Sequence, residues 1–539
     1  MTERSLRPWT SLVVLCLGTF AILLDTTIVN VAIPSLVTDL HASLDQAVWV
    51  VNSYLLVFTA LLIVASRLGD IFGPRRLFVG GLAVFALASA LCGAAQSPGQ
   101  LIAARVLQGV GAAALAPQGM VVIQSIFPRE RMGAAFGVFS SMTGLAAVAG
   151  PTIGGALTTY VSWRWVFYVN LPIAAAGIVL AVLYVPDIRT GRRHRLDAIG
   201  VLFASLGLSA VVFGLIEGQR YSWAEMGRGI TIPEIIGAGV VLLAAFVWWE
   251  RRRPEPLMPL RLFADRTFSV MVVLNAVVQF ALLSMLLVNA INLQSALGMT
   301  AVRSGSTGLP LTITLSAVAP FAGRLTDRFG GKFVLMTGLF VYAIGIAGVA
   351  AVSSTNSTSF TFVVPLLIAG VGMGAIFAPL ATEAMRAAPP RYAGAASGIL
   401  NTSRQLGATF GGAVTGAVLA NRLTAAMHAR AVADSAALPE NARDRFTGAF
   451  SNAASGGLQV GRGQFVSQVP RDTPPSLVTQ VRQLIDDVFT HGYVTALRPT
   501  LAVSVAVLLA GAALCLLLRR RPTPSLEPVT AEPVKAAAE

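Results

Sequence analysis

From near one end of this 539-residue chain to near the other, one stretch of about twenty predominantly apolar residues follows another, each long enough as a helix to cross a bilayer. Candidate spans fall near 10–33, 46–66, 77–95, 99–122, 133–157 and 165–185, then near 196–217 and 232–250. Six more fall near 267–293, 304–322, 333–354, 361–383, 393–420 and 496–518. The expected fold is therefore an all-α integral membrane protein of fourteen transmembrane helices. Composition agrees, with 55% of residues hydrophobic and only 12% charged, about half the charge of an ordinary soluble domain. The net charge of +14 is spread over short loops and not massed on one face, which points to membrane topology and away from nucleic acid.

One short pattern occurs twice. Ser66-Arg67-Leu68-Gly69-Asp70-Ile71-Phe72-Gly73-Pro74-Arg75-Arg76 is matched by Gly323-Arg324-Leu325-Thr326-Asp327-Arg328-Phe329-Gly330-Gly331-Lys332. In both, an acid stands three residues before a glycine, with a small residue four positions upstream and a basic residue just after. A repeated hairpin between apolar spans signals a duplicated membrane domain, the architecture of secondary transporters. The repeat places the central pair, 196–250, as an insertion between two six-helix halves at 10–185 and 267–518. Residues 1–9 and 519–539 remain as terminal segments.

Basic residues set the orientation. Arg4 and Arg7, Arg67 to Arg76, Arg129 and Arg131, Arg189 to Arg195, Arg251 to Arg266, Arg324 to Lys332, Arg386 and Arg391, and Arg519 to Lys535 all fall on one side. The short loops opposite hold Arg164, Arg220, Arg228 and Arg303. By the positive-inside bias both termini are expected in the cytoplasm. Arginine so outnumbers lysine (only Lys332 and Lys535) that a GC-rich bacterial genome, and hence a bacterial cell membrane, is expected. The first span lacks a small-residue cleavage site and contains Asp25, so it reads as a helix and not a signal peptide. Cys16, Cys92 and Cys515 all lie in spans, which argues against a disulfide framework. One outer loop, 421–495, is long; Leu477 to Phe489 recur there at helical spacing and predict a short amphipathic helix on the outer mouth or at the interface. The proline-bearing tail from about 521 reads as disordered.

Ionisable groups inside spans are costly and point to function. Asp25 lies well inside the first span. Burial disfavours the charged form of a carboxyl, so an acid in such a setting is a candidate for carrying a proton; the alternative is an acid held by hydroxyls and amides to fix packing. Arg105, in the fourth span, keeps its charge and needs an acceptor or water inside the bundle, as a tuning partner for a carboxylate or as an anchor. Asn30 and Gln108, on the same two stretches, complete the candidate coupling set. Gly150-Pro151-Thr152-Ile153-Gly154-Gly155 in the fifth span suits a hinge, or glycine packing without movement. Asp70 and Asp327 can pair with a neighbouring helix N-terminus and with loop arginines, which makes Asp70, Gly73, Arg75, Arg76, Asp327, Arg328 and Gly330 a candidate gate. Arg404 and Gln405 read as interface or gate residues. Glu217 and Glu383 lie close to span ends, where solvation makes them poor proton sites. The four histidines fall in loops, and neither metal-ligand spacing nor a nucleotide-binding loop is present, so no catalytic site, metal or cofactor is expected.

Taken together these segments resemble the major facilitator superfamily, specifically its fourteen-helix drug:proton antiporter branch (the EmrB/QacA type), over essentially all of 10–518. The Asp25 segment is similar to that branch's first-helix motif, Arg105 to Gly111 to its proton-coupling motif, and Gly150 to Gly155 to its antiporter motif. Trp49 to Tyr54 and Trp163 to Pro172 also follow its pattern. Ser66 departs from the usual leading glycine, Ile71 from a common basic residue, and Ala146 from a common glycine. The resemblance implies export of small hydrophobic, often cationic compounds in exchange for protons. Asp25 would be the proton site and a candidate cation site, Arg105 its coupling partner and Pro151 with its glycines the hinge. A monomer is expected. Other readings are a dedicated exporter of one natural product giving self-resistance and, from a different class, a receptor that has lost transport.

Overall fold

The computed structural model describes residues 7–188, 197–435 except 219, 222, 227, 228 and 254, the positions 443 and 447, and 475–518. In chain order the helices are α1 (Pro8–Asp39), α2 (Leu44–Phe72), α3 (Pro74–Ala94), α4 (Pro98–Ile126), α5 (Met132–Tyr160), the short α6 (Trp165–Tyr168) and α7 (Asn170–Tyr184). Then come α8 (Ala198–Glu217), α9 (Ile232–Glu250), α10 (Arg266–Ile291), the short α11 (Ala301–Thr307) and α12 (Leu309–Phe329). α13 (Gly331–Val352), α14 (Val363–Ala387), α15 (Ala393–Asp434) and α16 (Pro475–Leu514) complete the series among the described residues. Helix starts follow from local sequence. Proline, which has no amide to leave unsatisfied, opens α1, α3 and α4. Ser43 with Gln46 and Thr231 with Glu234 form reciprocal caps on α2 and α9.

Among the described residues, twelve helical stretches are long and apolar enough to cross a membrane. The expected spans at 304–322 and 393–420 fall on α12 and α15, which are helical but outside that group. Of the fourteen expected spans, twelve therefore lie on helices that meet this measure. Polar residues within α12 and α15 lower their hydropathy: Ser316 donates to the Ser141 carbonyl of α5 at 3.2 Å, and Asn401, Thr402 and Thr415 are buried. The amphipathic segment expected to stand alone near 477–489 is instead the first part of α16, which runs without a break into the last span. Ile485, Val488 and Phe489 are buried there, and Arg430 of α15 donates to Asp487 at 2.9 Å. His428 and His491 accordingly lie on helices and not in loops. The middle of the 421–495 segment, the tail from 521 and Arg189 to Arg195 lie outside the described residues.

In one group α1 packs on α5 and α7, α2 on α4, and α3 on α4 and α7. In the other, α12 and α13 pack on α14, while α10 and α13 meet α16 and α10 also meets α15. The groups join where α5 crosses α12 and α14 and where α2 meets α15; α8 and α9 form a pair, with α8 against α2 and α15. In lipid, helix association gains little from burying apolar chains and depends on close packing, so small residues set the contacts. A Cβ added to Gly111 would strike the backbone of Phe85, and one on Gly345 the backbone of Ala369.

The repeated pattern is not a loop. A single residue, Gly73, separates α2 from α3, and Gly330 alone separates α12 from α13. Their φ angles of 91° and 82° lie in the left-handed region that only glycine enters cheaply. Asp70 and Asp327 consequently sit in the last turn of α2 and α12, held on rigid helices.

Candidate functional site

Asp25 is fully buried, and so is almost every group around it. Arg105 Nη1 donates to Asp25 Oδ2 at 2.5 Å and to Gln108 Oε1 at 2.7 Å, while Arg105 Nε donates to the Val50 carbonyl at 3.0 Å. Gln108 Nε2 and Asn170 Nδ2 both donate to Asp25 Oδ1, at 2.8 and 3.2 Å. Ser89 accepts from Gln108 and Asn170, at 3.3 and 3.1 Å, and donates to the Phe167 carbonyl at 2.9 Å. The guanidinium lies 4.2 Å from the centre of the Tyr54 ring. Residues from α1, α2, α3, α4 and α7 thus enclose one ion pair. Arg105 and Gln108, three apart on α4, reach the same carboxylate because that spacing puts them on one helical face. Asn30 does not join this set; it is exposed and donates to the Thr26 carbonyl one turn back. Asn170 and Ser89 were not anticipated as members. Asn170, a polar residue at the start of an apolar helix, was the available signal; Ser89 in an Ala-rich span gave none.

Two faces of α5 make contacts that admit no side chain. Toward α1, a Cβ on Gly150 would collide with Thr27, and one on Gly154 would lie 2.8 Å from Ile28. Thr27 also donates to the Ala146 carbonyl at 3.4 Å. Gly155 differs: a Cβ there would meet nothing within 4 Å. Toward α12, Gly133 and Gly323 abut, Gly137 lies against Ala319 and Pro320, and Gly144 against Ser316. Pro151 interrupts neither end, and α5 remains one helix.

The two repeated acids reach across between the groups. Asp327 accepts from the Gly133 and Ala134 amides at 2.8 and 2.9 Å and from Arg386 at 2.5 Å. These amides open α5, where unbonded N–H groups and the helix dipole favour an anion. Asp70 occupies the corresponding place at the start of α15, where a Cβ on Gly394 would collide with its carboxylate, and Ser66 lies in the same way against Gly398. Each acid meets the first glycine of a four-residue spacing, Gly133 and Gly137 on α5 or Gly394 and Gly398 on α15. The acceptor sequences Gly133-Ala134-Ala135-Phe136-Gly137 and Gly394-Ala395-Ala396-Ser397-Gly398 are themselves a repeat, a legible signal that sequence reasoning missed. Ser397 donates to the Pro117 carbonyl at 2.7 Å, and Gln124 to those of Met385 and Ala388 at 2.6 and 3.1 Å, adding polar joints on this side.

The arginines of the pattern are more dispersed. Arg75 donates to the Val185 carbonyl at 3.2 Å, Arg76 is exposed, and Arg328 lies 5.1 Å from the Phe329 ring centre. Glu217 pairs with Arg220 at 3.3 Å, and Glu383 accepts from the Gly331 amide at 3.1 Å. Arg404, read from sequence as an interface or gate residue, lines a cavity between the two groups together with Gln405's neighbour on the same helix, Asn401.

A helical bundle that spans a membrane many times and repeats one acid-and-glycine clasp defines a multi-pass membrane transporter. The family model described as Major Facilitator Superfamily matches residues 15–412, and the chain belongs to that family. It is 34% identical over 412 residues to the multidrug resistance protein Stp of Mycobacterium tuberculosis, covering 76% of each chain. It is 33% identical over 418 residues to the tetracenomycin C resistance and export protein of Streptomyces glaucescens, covering 77% of each. Its fold is similar to that of the human organic anion transporter MFSD10, with a TM-score of 0.60 over 94% of this chain and 99% of that one; at 11% identity the likeness concerns fold alone.

Proposed function

We propose that this chain is a proton-coupled efflux antiporter of the fourteen-helix drug:proton branch, exporting small hydrophobic compounds by alternating access. The observation that carries this reading is the buried Asp25–Arg105 pair. In the ionised state Asp25 accepts three hydrogen bonds, from Arg105, Gln108 and Asn170. A proton arriving at Asp25 removes the counter-charge of a guanidinium that keeps its own proton. Arg105 then needs another acceptor, and α1 and α4 shift relative to each other. Thr27 and Ile28, next to Asp25, press on Gly150 and Gly154, so displacement of α1 is passed to α5. The opposite face of α5 carries it to α12 and to the Asp327 clasp. Pro151 and the adjacent glycines form the seal that slides, and Asp70, Gly73, Arg75, Arg76, Asp327, Arg328 and Gly330 belong to the cytoplasmic gate.

In this reading α12 and α15 also cross the membrane. Support comes from their position among α5, α14, α2 and α10, where their polar residues meet protein and not lipid. The organisation is then two six-helix halves, 10–185 and 267–518, with α8 and α9 inserted between them and both termini in the cytoplasm of a bacterium. The protein acts as a monomer, without a cofactor and without enzymatic activity. A narrower version, an exporter dedicated to one natural product, is favoured by the similarity to a protein named for tetracenomycin C resistance and export. A receptor without transport would have no need to keep a buried ion pair.

The test is accumulation of ethidium and a panel of lipophilic antibiotics in proteoliposomes under an imposed pH gradient. Wild type should accumulate at least one of them, collapse of the gradient should abolish this, and Asp25→Asn should remain inactive although it elutes as a monodisperse species. Gradient-driven uptake by Asp25→Asn would remove Asp25 from the role of proton carrier.

A further inference from the structure

Arg404 has a property that neither the ion pair nor the clasps absorb. It lines a cavity of about 40 Å³ between the two groups, bounded by α1, α4, α5, α10, α14 and α15. Among the described residues it has no ion-pair or hydrogen-bond partner, unlike Arg105 (Asp25), Arg386 (Asp327) and Arg164 (Asp39). The other polar lining groups are neutral: Thr19, Ser140, Thr143, Asn275 and Asn401. Counted from Ala393, Arg404 lies eleven residues into α15, a depth of about 16 Å at the usual helical rise. Thr19 lies equally far from the start of α1. The site is therefore deep in the bundle, while Asp25 lies further along α1.

We infer that this cavity is a cargo site for compounds bearing an acidic group, a carboxylate or an ionised phenol, with Arg404 as the residue that recognises it. The inference rests on the export reading above and narrows its cargo. Because Asp25 and Arg105 neutralise each other, Arg404 leaves an uncompensated positive charge in a medium where such charge is costly. An incoming anion offsets that cost, and an incoming cation adds to it. This departs from the cationic cargo that the family resemblance implies. A planar guanidinium also matches a carboxylate in two parallel hydrogen bonds, which a lysine cannot reproduce. The present cavity holds only a few water molecules, so cargo enters after the halves part and meets Arg404 on the exposed wall.

The experiment is equilibrium binding of two fluorescent probes, 1-pyrenebutyrate and its methyl ester, to full-length protein in lipid nanodiscs, corrected with empty nanodiscs. Wild type should bind the acid about tenfold or more tightly than the ester. In Arg404→Gln the acid-to-ester ratio should fall toward one, and Arg404→Lys should keep part of it. A wild-type ratio at or below one, an acid preference that survives Arg404→Gln, or tetraphenylphosphonium binding tighter than pyrenebutyrate would overturn the inference. Should Arg404→Gln not be recovered folded, the wild-type ratio and Arg404→Lys decide. Selective acid binding without gradient-driven transport would leave this site standing and remove proton coupling; transport without acid selectivity would do the reverse.

Discussion

Removing Asp25 and Arg105 separately and together distinguishes an ion pair kept for transport from one kept for folding. Both side chains are at most 1% exposed, so neither charge is relieved by water. Stripping one partner from a buried pair costs about 3–5 kcal/mol, because the survivor is left without its counter-charge in a low-dielectric site. Arg105→Met should fall near the lower end, since the carboxylate keeps its bonds from Gln108 and Asn170. Asp25→Leu should fall near the upper end, since the guanidinium is left with the Val50 carbonyl and Gln108 Oε1. The double variant buries two apolar chains in place of two charges and should regain most of the loss, ending within about 1–2 kcal/mol of wild type. The assay is unfolding in mixed micelles against SDS mole fraction, alongside gradient-driven uptake in proteoliposomes. A double variant that is stable but inactive supports coupling through the pair. Double-variant uptake that still follows the pH gradient refutes the mechanism, and a double variant less stable than either single refutes the energetic argument.

The remaining predictions concern the glycines and the clasps. Gly150→Ala should sharply reduce uptake, because its Cβ collides with Thr27, whereas Gly155→Ala should change uptake and stability little, within about 0.5 kcal/mol; equal effects would dismiss the helix-contact account. Gly73→Ala forces a side chain into a φ of 91° and should destabilise by about 1–2 kcal/mol, read as a lower unfolding midpoint. Asp327→Ala removes an acceptor for two α5 amides and Arg386 and should cost about 1.5–3 kcal/mol. Hydrogen exchange at Gly133 and Ala134 should rise with it, and unchanged protection there would show that the clasp does not hold α5.

Much of the architecture was legible because lipid imposes one rule on every span, and because the repeated Asp-x-x-Gly marks two equivalent helix junctions, at Gly73 and Gly330. The same criterion passes over α12 and α15, where polar residues such as Ser316, Asn401 and Thr402 interrupt the apolar run. It also failed at α16, since a helical pattern in sequence does not say whether the helix stops before the next span. In the site, Asp25, Arg105 and Gln108 stood out as polar residues against an apolar ground. Ser89 did not, since a serine in an alanine-rich helix has many uses. The cavity partners of Arg404 come from six helices, and no local spacing could have brought them together.

The two clasps are exchanged: the acid on α12 holds the first turn of α5, and the acid on α2 meets the first turn of α15. In the proposed organisation of two six-helix halves, neither half owns a complete fastening, since each contributes one hook and one eye. A unit produced alone would expose both unmatched pieces, and two units cut apart between 189 and 196 should find each other through them. In that organisation, closing the clasped face is a joint act to which each half brings a piece that the other lacks.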